Sequence, residues 1–141
     1  MVKLEAKIIN SSGKRKMSIA RAIVKDGKGR IKINSVPLDI YEPELSRSKI
    51  KESLVIASDH VDLSRVDIVV SVYGGGVVGQ SVAVISAIAR GLVDWTKNDN
   101  LLSAYLNYDR TMIAGDHRLT ETHKPGQSSK GPRHKRQKSY R

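Results

Sequence analysis

Val66-Asp67-Ile68-Val69-Val70-Ser71-Val72-Tyr73 runs straight into Gly74-Gly75-Gly76, and from Val77 to Trp95 the residues Ile85, Ile88, Ala89 and Leu92 recur at helical spacing. β-Branched side chains crowd the first segment, which reads as a central strand. The glycines release the backbone, and the third segment offers a core one apolar stripe. A buried strand, a break and a core helix in this order are the pivot around which the remaining elements arrange themselves.

Toward the N-terminus, Ala6 to Asn10 reads as a short strand and Ser11-Ser12-Gly13-Lys14-Arg15-Lys16 as a loop. The next run places Met17, Ile19, Arg21 and Ile23 on one face and Ser18, Ala20, Ala22 and Val24 on the other, the pattern of a strand covered on both sides. Asp26-Gly27-Lys28-Gly29 is a tight turn, and Arg30 to Ile33 alternates charged with apolar, so the two strands are expected to pair as a hairpin. Arg21 then lies inside a strand, where it is either an edge residue or aimed at a ligand, because burying it unpaired is costly. Pro37 to Glu44 is a connector, with Pro43 in the first turn of a helix that runs through Ile50 and Leu54 to about Ala57. A short helix is expected from Asn100 to Asn107.

The charge of the chain is unevenly spread. Of 25 basic and 14 acidic residues, the segment from Thr122 to Arg141 holds Lys124, Lys130, Arg133, Lys135, Arg136, Lys138 and Arg141 and no acid. Most of the net +11 therefore sits in the last twenty residues, which also lack aliphatic side chains. Such a tail cannot offset the entropy of ordering by burial, so it is expected to stay extended in isolation and to order against a polyanion. A merely solvated terminus is the plainer alternative. The remainder has the length and balance of one soluble domain. The absence of cysteine excludes disulfides and thiolate zinc sites. Lys3, Glu5 and Lys7 stand where a signal peptide would be apolar, and no apolar run is expected to reach the ~20 residues of a membrane span, so the chain reads as intracellular and soluble. An anionic membrane would attract the same charge as nucleic acid, but the tail lacks the apolar face of an interfacial helix.

Gly74, Gly76 and Gly79 match the spacing of a dinucleotide-binding loop. That motif needs a second parallel strand ending in an acid about 20 residues on, and here the distance lands on Asp94 to Asp99 at a helix end. The glycines are better read as a packing turn, or as a turn whose exposed amides also meet an RNA phosphate. His117, His123 and His134, with Asp116 beside them, lack the spacing and thiolate partners of a metal site and read as surface histidines. No nucleophile elbow surrounds any serine, and Glu42 and Glu44 flank a proline at a helix start, where negative charge suits the dipole. Neither an enzyme nor a cofactor is expected. Five tyrosines, one tryptophan and no phenylalanine supply a base-stacking platform poorly, so phosphate contact should dominate.

Five collinear motifs carry a resemblance. They are Ser12-Gly13-Lys14-Arg15-Lys16 with Ala20-Arg21-Ala22, Asp26-Gly27-Lys28-Gly29, Gly74-Gly75-Gly76 with Gly79-Gln80, Tyr108-Asp109-Arg110-Thr111, and Lys130-Gly131-Pro132-Arg133 onward to Arg141. Together they closely resemble the S-nine family of small-subunit ribosomal proteins over essentially the whole chain. The ending Lys135-Arg136-Gln137-Lys138-Ser139-Tyr140-Arg141 and the approach Glu121-Thr122-His123-Lys124-Pro125 look like its archaeal and eukaryotic-cytosolic branch. One departure is Asn34-Ser35, where the family pattern often reads Asn-Gly.

The resemblance implies an α+β protein: a compact two-layer domain over residues 1–114, a mixed four-stranded sheet backed by helices, and an extended basic C-terminal tail over residues 115–141. It implies a structural constituent of the head of the small subunit, in the cytoplasm, whose partners are ribosomal RNA, neighbouring head proteins and the peptidyl-site tRNA, with no membrane and no small-molecule substrate. Lys14, Arg15, Lys16, Gly74, Gly75, Gly76, Gln80 and Arg110 fall on rRNA-facing positions. Arg21 and the tail residues Lys124, Lys130, Arg133, Lys135 and Arg136 are assigned to rRNA with them, and Lys138 and Arg141 to tRNA. A free-standing, nonspecific RNA-binding chaperone would share the composition but would not need five ordered motifs.

Overall fold

The computed structural model describes residues 7–124. Strand β1 spans Ile8–Arg15 and β2 spans Ser18–Asp26, joined through Lys16, which takes a left-handed φ of 51°, and Met17. The stretch expected to be a loop, Ser11 to Lys16, is therefore strand as far as Arg15. Its small polar residues are packing devices. A Cβ on Gly13 would overlap the Ala83 carbonyl, and Ser11 Oγ donates to the Ala87 carbonyl at 2.7 Å, so helix and strand approach closely here.

After β2 come β3 at Ile31–Ile33, β4 at Val36–Pro37 and β5 at Val66–Tyr73, and the sheet order is β1-β2-β5-β3-β4. Two expectations are corrected. The sheet has five strands, because the Asn34-Ser35 turn leads into the two-residue β4. Asn34 supports that turn by pairing its side-chain amide with the backbone N–H and carbonyl of Val72 at 2.9 and 3.0 Å. Nor do the second and third strands form a hairpin: β5 lies between them, antiparallel to β2 and parallel to β3, which makes the sheet mixed. The physical reason is Asp67, nearly fully buried in β5. Its carboxylate accepts the backbone N–H of Lys28 at 2.8 Å and of Arg30 at 3.0 Å, and the Arg30 guanidinium at 2.7 and 3.1 Å. The turn thus wraps around the start of β5 instead of closing on itself. Those bonds hold the Asp67 carboxyl well below the usual range, the Arg30 side chain contributing most.

The helices cover one face of the sheet. Helix α1 spans Glu44–Ser58 with Pro43, in extended conformation, as its N-cap, and it buries Ile50, Leu54 and Ala57. Helix α2 spans Val77–Thr96 and buries Val84, Ile85, Ile88 and Leu92 against β1, β2 and β5. By length and composition α2 would suffice to cross a membrane, contrary to the expectation from sequence; here it is the core helix, more than half buried within the protein. Truncating a buried residue such as Ile88 to Ala would cost about 2–5 kcal/mol. Helix α3 at Asp99–Tyr108 is capped by Asn98 and seats Tyr105, whose hydroxyl donates to the Ser53 carbonyl at 2.8 Å. A last turn, α4 at Thr111–Ala114, buries Met112. The opposite face of the sheet keeps Arg21, Ile23, Lys25, Lys32 and Ser71 exposed.

Candidate nucleic-acid interface

The β1–β2 turn and the glycine turn meet at one end of the sheet. Gly74 and Gly75 both have left-handed φ values, 78° and 64°, and a Cβ on them would overlap the Met17 carbonyl and Ser18 Oγ respectively. The carbonyl of Gly74 accepts Ser18 Oγ at 2.9 Å and the Gln80 side chain at 3.1 Å. Two of the three glycines and Gln80 thus build the turn itself. Gly76 has ordinary dihedrals and open space beyond it, and as the N-cap of α2 it supplies no side-chain bond. No acid occupies the first turn of α2, so an anion at this end meets uncapped amides and the positive end of the helix dipole.

A few residues away, an open recess of about 710 Å³ is walled by Lys14, Arg90, Arg110, Asp116, His117 and Arg118, with small residues between them. Lys14 comes from β1, Arg90 from α2, Arg110 from the lead into α4, and the last three from the chain after α4. Arg90 is a fastener: its Nε donates to the Ile113 carbonyl at 2.7 Å and a terminal nitrogen donates to the Ser12 carbonyl at 2.9 Å. Lys14 and Arg110 are exposed. Four cations against one acid make this wall fit for a phosphodiester, and arginine adds a planar fork that matches phosphate oxygens.

Arg15 points to the covered face instead. Its guanidinium reaches Asp116 at 2.9 Å, with side-chain exposures of 18% and 8%. Asp116 also binds Arg118, at 2.6 Å to a terminal nitrogen and 2.9 Å to the backbone N–H. Arg118 above all, and then Arg15, hold the Asp116 carboxyl well below the usual carboxylate range.

Of the residues picked from sequence, Lys14, Arg15, Lys16, Gly74, Gly75, Gly76, Gln80 and Arg110 gather at this end. Arg21 stands apart, exposed on the open sheet face opposite Ser12 and Ser71. Lys124 is exposed and pairs with Glu121 at 3.5 Å. Lys130, Arg133, Lys135, Arg136, Lys138 and Arg141 lie outside the described residues. Sequence reading missed Arg90 and Arg118 and took His117 as ordinary surface. A lone arginine within the apolar run of α2 was the one available signal; nothing local marks Arg118.

Known proteins resemble this chain over most of its length. The family model described as "Ribosomal protein S9/S16" matches residues 13–141. The chain is similar to "Small ribosomal subunit protein uS9" of Methanothrix thermoacetophila, at 52% identity over 96% of this chain and 99% of the relative. It is likewise similar to the protein of the same name from Methanococcus maripaludis, at 44% identity with the same coverage.

Proposed function

The chain belongs to the ribosomal protein S9/S16 family, and from that premise we propose that its cationic end seats ribosomal RNA while its tail reaches the peptidyl-site tRNA. The protein is a structural, non-enzymatic component of the small ribosomal subunit. The finer reading divides the work: residues 1–114 hold position against rRNA and residues 115–141 extend from them. In this reading Lys14, Arg110 and Arg118 meet phosphates directly, Arg21 meets RNA on the open sheet face, and the glycine turn lets backbone approach closely. Lys124, Lys130, Arg133, Lys135 and Arg136 neutralise rRNA phosphates along the tail, leaving Lys138 and Arg141 for tRNA.

The observation that carries this reading is the recess, where four cations from separate parts of the chain converge beside the origin of the basic tail. The twenty residues from Thr122 to Arg141 can span at most about 70 Å when extended, enough to work at a distance from the body. The test is reconstitution of small subunits with full-length chain carrying Arg141→Glu. Incorporation should be normal, because the other tail cations still contact rRNA, and peptidyl-site tRNA should dissociate faster by roughly two- to tenfold, the scale of one exposed charge-assisted contact. Failure of the wild-type chain to enter subunits would overturn the rRNA reading. Identical tRNA dissociation from mutant and wild-type subunits would overturn the tRNA contact.

A further inference from the structure

Asp116 is the single acid on a wall that carries Lys14, Arg90, Arg110 and Arg118. At an interface for a polyanion, an acidic group there looks like a defect whose removal should tighten binding. We propose the opposite: Asp116 is a positioning residue, an internal anion that holds the Arg118 guanidinium over the recess and ties the root of the basic tail to β1. The inference rests on reading the recess as an RNA interface.

The geometry argues for it in three ways. The carboxylate does not face a ligand as a free charge, because it is 8% exposed and both its oxygens are occupied. One accepts Arg118 at 2.6 and 3.0 Å and forms an ion pair with the Arg15 guanidinium at 2.9 Å, and the other accepts the backbone N–H and Nε of Arg118 at 2.9 and 3.1 Å. Arg118, in contrast, keeps its side chain 71% exposed while gripped along one edge. A guanidinium has five N–H donors, so its other edge stays open to a phosphate, and a side chain already fixed loses less rotamer freedom on binding. Finally, the Arg15–Asp116 pair joins the first strand to the chain just after α4. Fixing where the tail starts raises its effective concentration near RNA bound at the recess.

The measurement is the affinity of the full-length chain for a transcript covering the head of the small-subunit rRNA, at fixed salt, with thermal melting recorded alongside. Asp116→Asn should bind about five- to tenfold more weakly although the chain gains net positive charge. Asp116→Glu, whose carboxylate still meets both guanidiniums, should bind like wild type. In an Arg118→Gln background, adding Asp116→Asn should cost clearly less than it does in the wild-type chain, because the residue it positions is gone and only the Arg15 tie is left to lose. Equal or tighter binding by Asp116→Asn overturns the proposal, and so does an independent, additive loss in the double variant, which would mark a merely structural role. Should Asp116→Asn fail to fold, Arg118→Lys takes its place: it keeps the charge without the fork, weakened binding is expected, and full affinity overturns the proposal. Absence of binding by the wild-type chain is a different result and sinks the interface reading itself.

Discussion

Ser35 holds φ at 70°, and its neighbour Asn34 holds 48°. Asparagine tolerates the left-handed region and is repaid by its two bonds to Val72, whereas serine has a Cβ to accommodate and makes no such bond among the described residues. Ser35→Gly should therefore raise stability by about 0.5–1 kcal/mol, read as a higher urea midpoint with an unchanged slope. A lower midpoint would show that strain at Ser35 is not the dominant effect there. The same scale shows a limit on reading residues from a string. Three consecutive glycines look equivalent in sequence, yet Gly74 and Gly75 are fixed by the atoms of Met17 and Ser18, and Gly76 faces open space. What separates them is a partner strand more than fifty positions earlier in the chain.

At the scale of elements, α1, α2, α3, β2 and β5 were legible because periodicity and branching are local properties of the string. The β1 segment was only partly legible, since Ser11, Ser12 and Gly13 carry turn chemistry and become strand because α2 needs small residues beneath it at Ser11 and Gly13. The order of the strands was not legible, because it depends on Asp67 reaching the turn at Lys28 to Arg30. The candidate site divides the same way: Lys14 to Lys16, the glycine turn and Arg110 stand in compact motifs, whereas Arg90 and Arg118 join them only through the fold. The Asp67 arrangement also predicts a pH dependence. Its pKa is depressed in the folded state, so its contribution is fully present above the unfolded value near 3.9 and is lost as pH falls below it. Asp67→Asn should flatten the rise of melting temperature with pH between about pH 2 and 4. Because Asp116 and Asp62 are depressed in the same direction, some slope should remain. An acid limb identical to wild type would show that the Asp67 pKa does not differ between the folded and unfolded states.

At the scale of the molecule, charge is partitioned between a nearly balanced body and a polycationic end. If the tail neutralises about five phosphates of irregular RNA, log affinity should fall against log salt with a slope of roughly −3.5, at about −0.7 per contact. Deleting Thr122 to Arg141 should make that line markedly shallower, since the recess alone offers few contacts. A truncated chain with the full slope would place the main electrostatic arm on the body.

The strand order β1-β2-β5-β3-β4 has a consequence for how the chain is made. Synthesis proceeds from the N-terminus, so β1 and β2 emerge together while the partner that completes the inner edge of β2 still waits behind all of residues 27–65. Through that interval the nascent hairpin has an unsatisfied edge and no helix over its apolar face, the condition in which strands associate wrongly. The polycation emerges later, after β5 and α2 have left the synthetic machinery. The vectorial order of production thus lets the core settle before the charge that would draw an unfinished chain onto the nearest RNA exists.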